Sequence, residues 1–109
     1  MEYGVEARES IGALLARART QLGISQLRLA ERLCACSGTA TVTRHEVSRW
    51  EREERIPSGY WLSWLAVALD LPIDRLERAA AMARRRRRRP DIPPNWYEYS
   101  AGVYARVAS

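Results

Sequence analysis

Between residues 44 and 49 the chain places Arg44, His45, Ser48 and Arg49 around two apolar residues, Val47 and Trp50, set three positions apart. On a helix that spacing turns Val47 and Trp50 to one side and leaves the four polar side chains on the others. The chemistry these groups suit is hydrogen-bond donation to base edges. A guanidinium can bond both major-groove acceptors of guanine at once, and His can donate to the same acceptors. Arg44 and Arg49, just over one turn apart, span the reach between neighbouring base pairs. The same residue types also make an ordinary solvated helix face, so residues 43–51 alone leave both readings open.

Other chemistry is poorly supplied. Cys34 and Cys36 with the single histidine, His45, fall one ligand short of a closed tetrahedral zinc site, and no metal is expected. Reduced thiols packed under a turn suit these cysteines better. One His, no Gly-rich phosphate loop and no paired catalytic constellation leave nothing for an enzyme to use, and no cofactor is implied.

Several elements are needed to present residues 44–49. Thr43 and Glu46 form a capping box, which starts the helix at Arg44. Upstream, Ser25 is an N-cap for a helix with Leu29, Ala30 and Leu33 as its buried stripe. Before that, a helix over about residues 5–22 buries Ile11, Leu14, Leu15, Ala18 and Leu22 and is ended by Gly23. Downstream, residues 55–58 close the central helix and open another, whose Leu62, Leu65, Ala66 and Leu69 follow the helical period. A last helix over about residues 73–89 stops at Pro90. The expected fold is all-α, with five helices and a C-terminal extension.

At this point the chain resembles the Cro/C1-type (XRE-like) helix-turn-helix repressors. The resemblance rests on G-I-S-Q-x-x-L-A at 23–30, V-S-R-W-E at 47–51, I-P-S at 56–58 and A-x-A-L-D-L at 66–71, and it covers residues 11–76. It implies sequence-specific binding of double-stranded DNA by a transcriptional regulator, expected to be a repressor. Base contacts would come from Arg44, His45 and Arg49 with Ser48 intermediate, and phosphate contacts from Gln26, Thr43 and Arg52. It also implies a structural ion pair between Arg19 and Glu51, half-buried and costly to break from one side. A homodimer is the default, because two-fold symmetry doubles a short readout. Two departures stand out. Where the family has a single turn residue this chain has eight, residues 34–41, which either lengthen the preceding helix through Cys36 or change the angle between the helices. Where the family has a helix-ending Gly the chain has Glu53, so the base-reading helix is expected to run on to about Glu54.

Charge divides the chain at residue 83. Residues 1–83, taken as the DNA-binding domain, carry equal numbers of Arg and acidic residues. Residues 84–109, taken as a C-terminal arm, hold the whole net charge of +5. Arg84, Arg85, Arg86, Arg87, Arg88 and Arg89 are therefore candidate phosphate contacts, the alternative being a solvated helix end favoured by the macrodipole. Every basic residue is Arg and none is Lys, which suggests a GC-rich coding genome and, with the resemblance, an actinobacterial source. The helix after Pro57 carries a second apolar stripe, Tyr60, Trp64, Val67 and Leu71, which needs a cover. Trp96, Tyr97, Tyr99, Val103 and Tyr104 in the tail offer matching material, on the body or across a dimer. The alternative function is a protein-interaction adaptor or antitoxin-like partner using this aromatic tail. With no apolar run of spanning length and an acidic, mixed N-terminus, the expected location is the cytoplasm, at the nucleoid, with no membrane partner.

Overall fold

The computed structural model describes residues 9–88, apart from the side chain of Arg88. Five helices and no strand occur among them: α1 Ile11–Gln21, α2 Gln26–Ser37, α3 Arg44–Glu51, α4 Gly59–Leu69 and α5 Ile73–Arg88. The first four begin at a hydroxyl residue in extended conformation, Ser10, Ser25, Thr43 and Ser58. Each hydroxyl accepts an amide that the helix itself leaves without an acceptor, those of Ala13, Arg28, Glu46 and Trp61. α5 follows Pro72, whose carbonyl accepts the Arg75 amide at 3.1 Å.

Ile11, Leu14, Leu15, Leu29, Leu33, Val47, Trp50, Leu62, Leu65 and Leu76 are almost wholly buried and come from all five helices. α3 packs on both α1 and α2, while α5 closes against α4 and α1. The short central helix is thus held at its rear by Val47 and Trp50, while Arg44, His45 and Arg49 remain outside.

Several boundaries differ from the sequence reading. The first helix begins at Ile11 rather than about Val5, because the extended backbone of Ser10 caps it there. Leu22 leaves the buried stripe and is 44% exposed, since it is the C-cap beyond the last helical residue and Gly23 follows at φ 71. Ala66 is only partly buried, and Ala68 takes a place in the core. The extra residues of the turn lengthen α2 to Ser37, where Gly38 at φ 76 ends it. Val42 then turns inward and is buried, and the Cys34 thiol donates to its carbonyl at 3.3 Å. Cys36 and Ala35 face outward instead of packing beneath the loop.

Candidate nucleic-acid interface

α3 is divided across its width. Val47 and Trp50 are buried; Arg44, His45 and Arg49 are exposed; Ser48 is half-buried between them. Its start is half of a capping box: the Thr43 hydroxyl accepts the Glu46 amide at 3.3 Å. The Glu46 carboxylate turns to Arg55 at 3.5 Å instead of back to the Thr43 amide.

α3 ends at Glu51, not near Glu54. Glu53 itself adopts the left-handed conformation, at φ 60, that ends such helices and usually calls for Gly. A non-glycine residue is strained there, and surrounding bonds must hold it. The Glu53 carboxylate accepts the Gly12 amide at the start of α1, at 2.7 Å. Arg86 lies 3.5 Å from its other oxygen, and Arg87 Nη2 donates to the Glu53 carbonyl at 2.9 Å.

On the α1 side, Arg19 meets Glu51 as a fork, Nε to Oε2 at 2.6 Å and Nη2 to Oε1 at 3.1 Å. Arg19 also donates to the Ile24 carbonyl at 2.9 Å, and Gln26 Nε2 donates to Glu51 Oε1 at 2.9 Å. Their side chains are only 15% and 7% exposed, so this network lies where one unmatched charge is costly. It ties the last turn of α3 to α1 and to the first residue of α2.

Of the residues expected to meet phosphate, Gln26 is half-buried at the mouth of α2, Thr43 is exposed at the mouth of α3, and Arg52 is exposed 3.4 Å from Glu54. α5 runs through residue 83 without a break, so residues 84–88 are its last turns. Arg84 donates to the Pro57 carbonyl at 2.9 Å and Arg87 to the Glu54 carbonyl at 2.7 Å, which turns both heads toward the body. Arg85 is exposed. The Arg88 side chain and Arg89 lie outside the described residues, as do Trp96, Tyr97, Tyr99, Val103 and Tyr104.

The second stripe is split, and α4 ends at Leu69 with Asp70 left-handed at φ 56, so Leu71 lies beyond the helix. Trp64 and Leu71 pack against the core, while Tyr60 and Val67 are 53% and 64% exposed. Tyr60 stands edge-on to Trp61 at 5.0 Å and to Trp64 at 6.5 Å. Among the described residues no group of His, Cys, Asp and Glu could hold a metal ion, and no helix is long and apolar enough to cross a membrane.

Glu53, Gly12 and the inward-turned Arg84 and Arg87 are what sequence reasoning missed. The one available signal was a Glu standing where the resembling family has Gly.

Residues 15–76 match the family model HTH_3, helix-turn-helix, which covers more than half of the chain. The chain belongs to this helix-turn-helix family, of Cro/C1 type, and is a DNA-binding transcription regulator. No curated protein and no solved structure matches it at a significant level.

Proposed function

We propose that the protein binds a specific double-stranded operator with α3 in the major groove and acts as a repressor. The division of α3 carries this reading: two turns bury Val47 and Trp50 and expose Arg44, His45 and Arg49. Those three donate to base edges, and Ser48, set lower, reaches an edge or a phosphate. The Thr43 hydroxyl still has its own proton for a phosphate while its oxygen caps α3. Gln26 opens α2, whose first amides suit an anion, and Arg52 follows α3.

Within residues 84–89, attraction independent of sequence comes from heads that do not turn to the body, such as exposed Arg85, rather than from Arg84 and Arg87. Residues 1–83 carry the readout and 84–109 the basic, aromatic arm; the boundary is one of composition, since α5 passes through it. The protein acts as a homodimer with half-sites about one helical turn of DNA apart. Of the stripe Tyr60, Trp64, Val67 and Leu71, the exposed Tyr60 and Val67 mark the face that residues 96–104 or a second copy would cover. No cofactor enters, and a DNA partner places the protein in the cytoplasm at the nucleoid. The exposed Tyr60 and Val67 are what favours the second reading, a protein-interaction adaptor.

Selecting bound fragments from genomic DNA tests the proposal. One enriched motif with two-fold symmetry is expected, and transcription from a promoter bearing it should fall when the protein is added. Enrichment without a common motif would rule out sequence-specific binding and favour the adaptor; rising transcription would rule out repression.

A further inference from the structure

The Arg run of α5 makes contacts at the exit of α3 that phosphate attraction does not require. Arg87 Nη2 bridges the carbonyl oxygens of Glu53 and Glu54, at 2.9 and 2.7 Å. The Glu54 amide in turn donates to the Arg49 carbonyl at 2.8 Å, and the Arg55 amide reaches the same oxygen at 3.3 Å. A continuous chain of bonds therefore leads from the C-terminal helix, through the left-handed turn at Glu53, to the backbone of Arg49. With eight residues, α3 is too short to hold its own last turn in water. Its exit passes through a strained φ and depends on bonds from outside.

We propose that Arg87 is a positioning residue for base reading by Arg49. Bridging the two carbonyls fixes the exit of α3 and hence the direction in which the Arg49 side chain leaves the helix. The proposal rests on the reading of Arg49 as a base donor. A guanidinium suits the task because it keeps its charge and presents its N–H groups in a fixed plane. A head spent on carbonyls is withheld from phosphate, so Arg87 contributes to specificity and not to salt dependence. Arg87 is itself exposed, so its bonds to the two carbonyls are what set it apart from the likewise exposed Arg85, which does the reverse.

The test uses the full chain carrying Arg87→Ala, Arg87→Lys, Arg85→Ala or Arg49→Ala. Each is titrated over a salt series on three duplexes: the selected motif, the motif altered at the base pair Arg49 reads, and an unrelated sequence. Arg87→Ala should lower the ratio of specific to unrelated affinity by roughly fivefold or more, the low end of what one base contact discriminates. The slope of log affinity on log salt should not change. Arg85→Ala should make that slope shallower by about one and leave the ratio alone. Arg87→Lys, a point charge without the fork, should recover only part of the ratio. Hydrogen exchange at the Glu54 and Arg55 amides should quicken in Arg87→Ala alone, with core amides still protected, which shows that the domain is folded. A slope reduced by about one at constant ratio would make Arg87 a phosphate contact and overturn the proposal; so would a ratio unchanged at every salt concentration. If Arg49→Ala leaves base preference intact, the assignment of Arg49 fails and the proposal falls with it. If Arg49→Ala shifts the preference and Arg87→Ala does not, only the positioning role fails.

Discussion

Gly12 brings its bare Cα against the carbonyl of Glu51, where α1 meets the end of α3. A Cβ at Gly12 would overlap that oxygen and come within 2.8 Å of Glu53 Cγ. The obstacle is backbone and cannot rotate away. Gly12→Ala is expected to destabilise the domain by about 1–3 kcal/mol, the range for forced overpacking. Chemical denaturation measures it; an unchanged midpoint would show that α1 and α3 can separate at no cost.

Arg19 and Glu51 supply a second measure of the same joint. Removing either partner, as in Arg19→Met or Glu51→Gln, should cost up to about 3–5 kcal/mol, while replacing both with apolar residues should cost much less. Gln26 and the Ile24 carbonyl share the network, so a double-mutant cycle is needed to isolate the pair. Independent additivity of the two changes would mean that no coupling exists.

Base reading and backbone gripping separate by their sequence dependence. Arg49→Ala should weaken operator binding by about 1–3 kcal/mol and relax preference at one base pair. Arg52→Ala, at an exposed site, should weaken all sequences alike, whereas Gln26→Ala also removes a bond to Glu51 and so loosens α3 itself. Competition with singly substituted duplexes reads the difference, and equal, sequence-independent losses would remove Arg49 from the list of readers.

Local signals in the chain account for most of the fold. Ser25, Thr43 and Ser58 are side-chain caps, and capping acts within three residues, so the starts of α2, α3 and α4 were legible. Leu29, Leu33, Val47, Trp50, Leu62 and Leu65 follow helical spacing, and each is buried. What stayed hidden depends on distant partners. Nothing local says that Glu53 takes a left-handed turn, because the bonds that hold it come from Gly12 and Arg87, far away in the chain. A run of Arg likewise reads as solvated charge until Pro57, Glu53 and Glu54 are seen beneath it. At the candidate interface, spacing placed Arg44, His45 and Arg49 away from Val47 and Trp50, but it was silent on how the exit of α3 is fixed.

Acid should loosen the start of α1 through Glu9. Its carboxylate takes Arg17 Nε at 2.6 Å and Nη2 at 2.7 Å, with Arg75 3.7 Å away. The Arg17 hydrogen bonds, outweighing partial burial and helped by the charges of Arg17 and Arg75, hold its pKa below the ordinary 4.5. A carboxylate depressed in the folded state stabilises fully above its unfolded value and loses that contribution as pH falls through the folded one. Thermal melts should therefore drop below pH 4.5 by less in Glu9→Gln than in the parent. Identical acid limbs would show that Glu9 makes no contribution.

The tail is tested by mass. If residues 96–104 cover the exposed Tyr60 and Val67 beside Trp64 across a dimer, then Trp96→Ala with Tyr99→Ala should yield monomers in sedimentation without DNA, while the salt slope of DNA binding per bound subunit should persist. Dimers surviving in the double variant would assign the tail no part in association.

The brevity of α3 makes recognition a property of the whole fold. Two turns of helix have no independent stability, and this pair is fastened from residues 12, 19, 26 and 87, which span the described chain from end to end. No smaller cooperative unit contains the helix together with its fastenings. On heating, operator recognition should vanish in step with global unfolding, and no partly melted species should retain a usable sense of sequence.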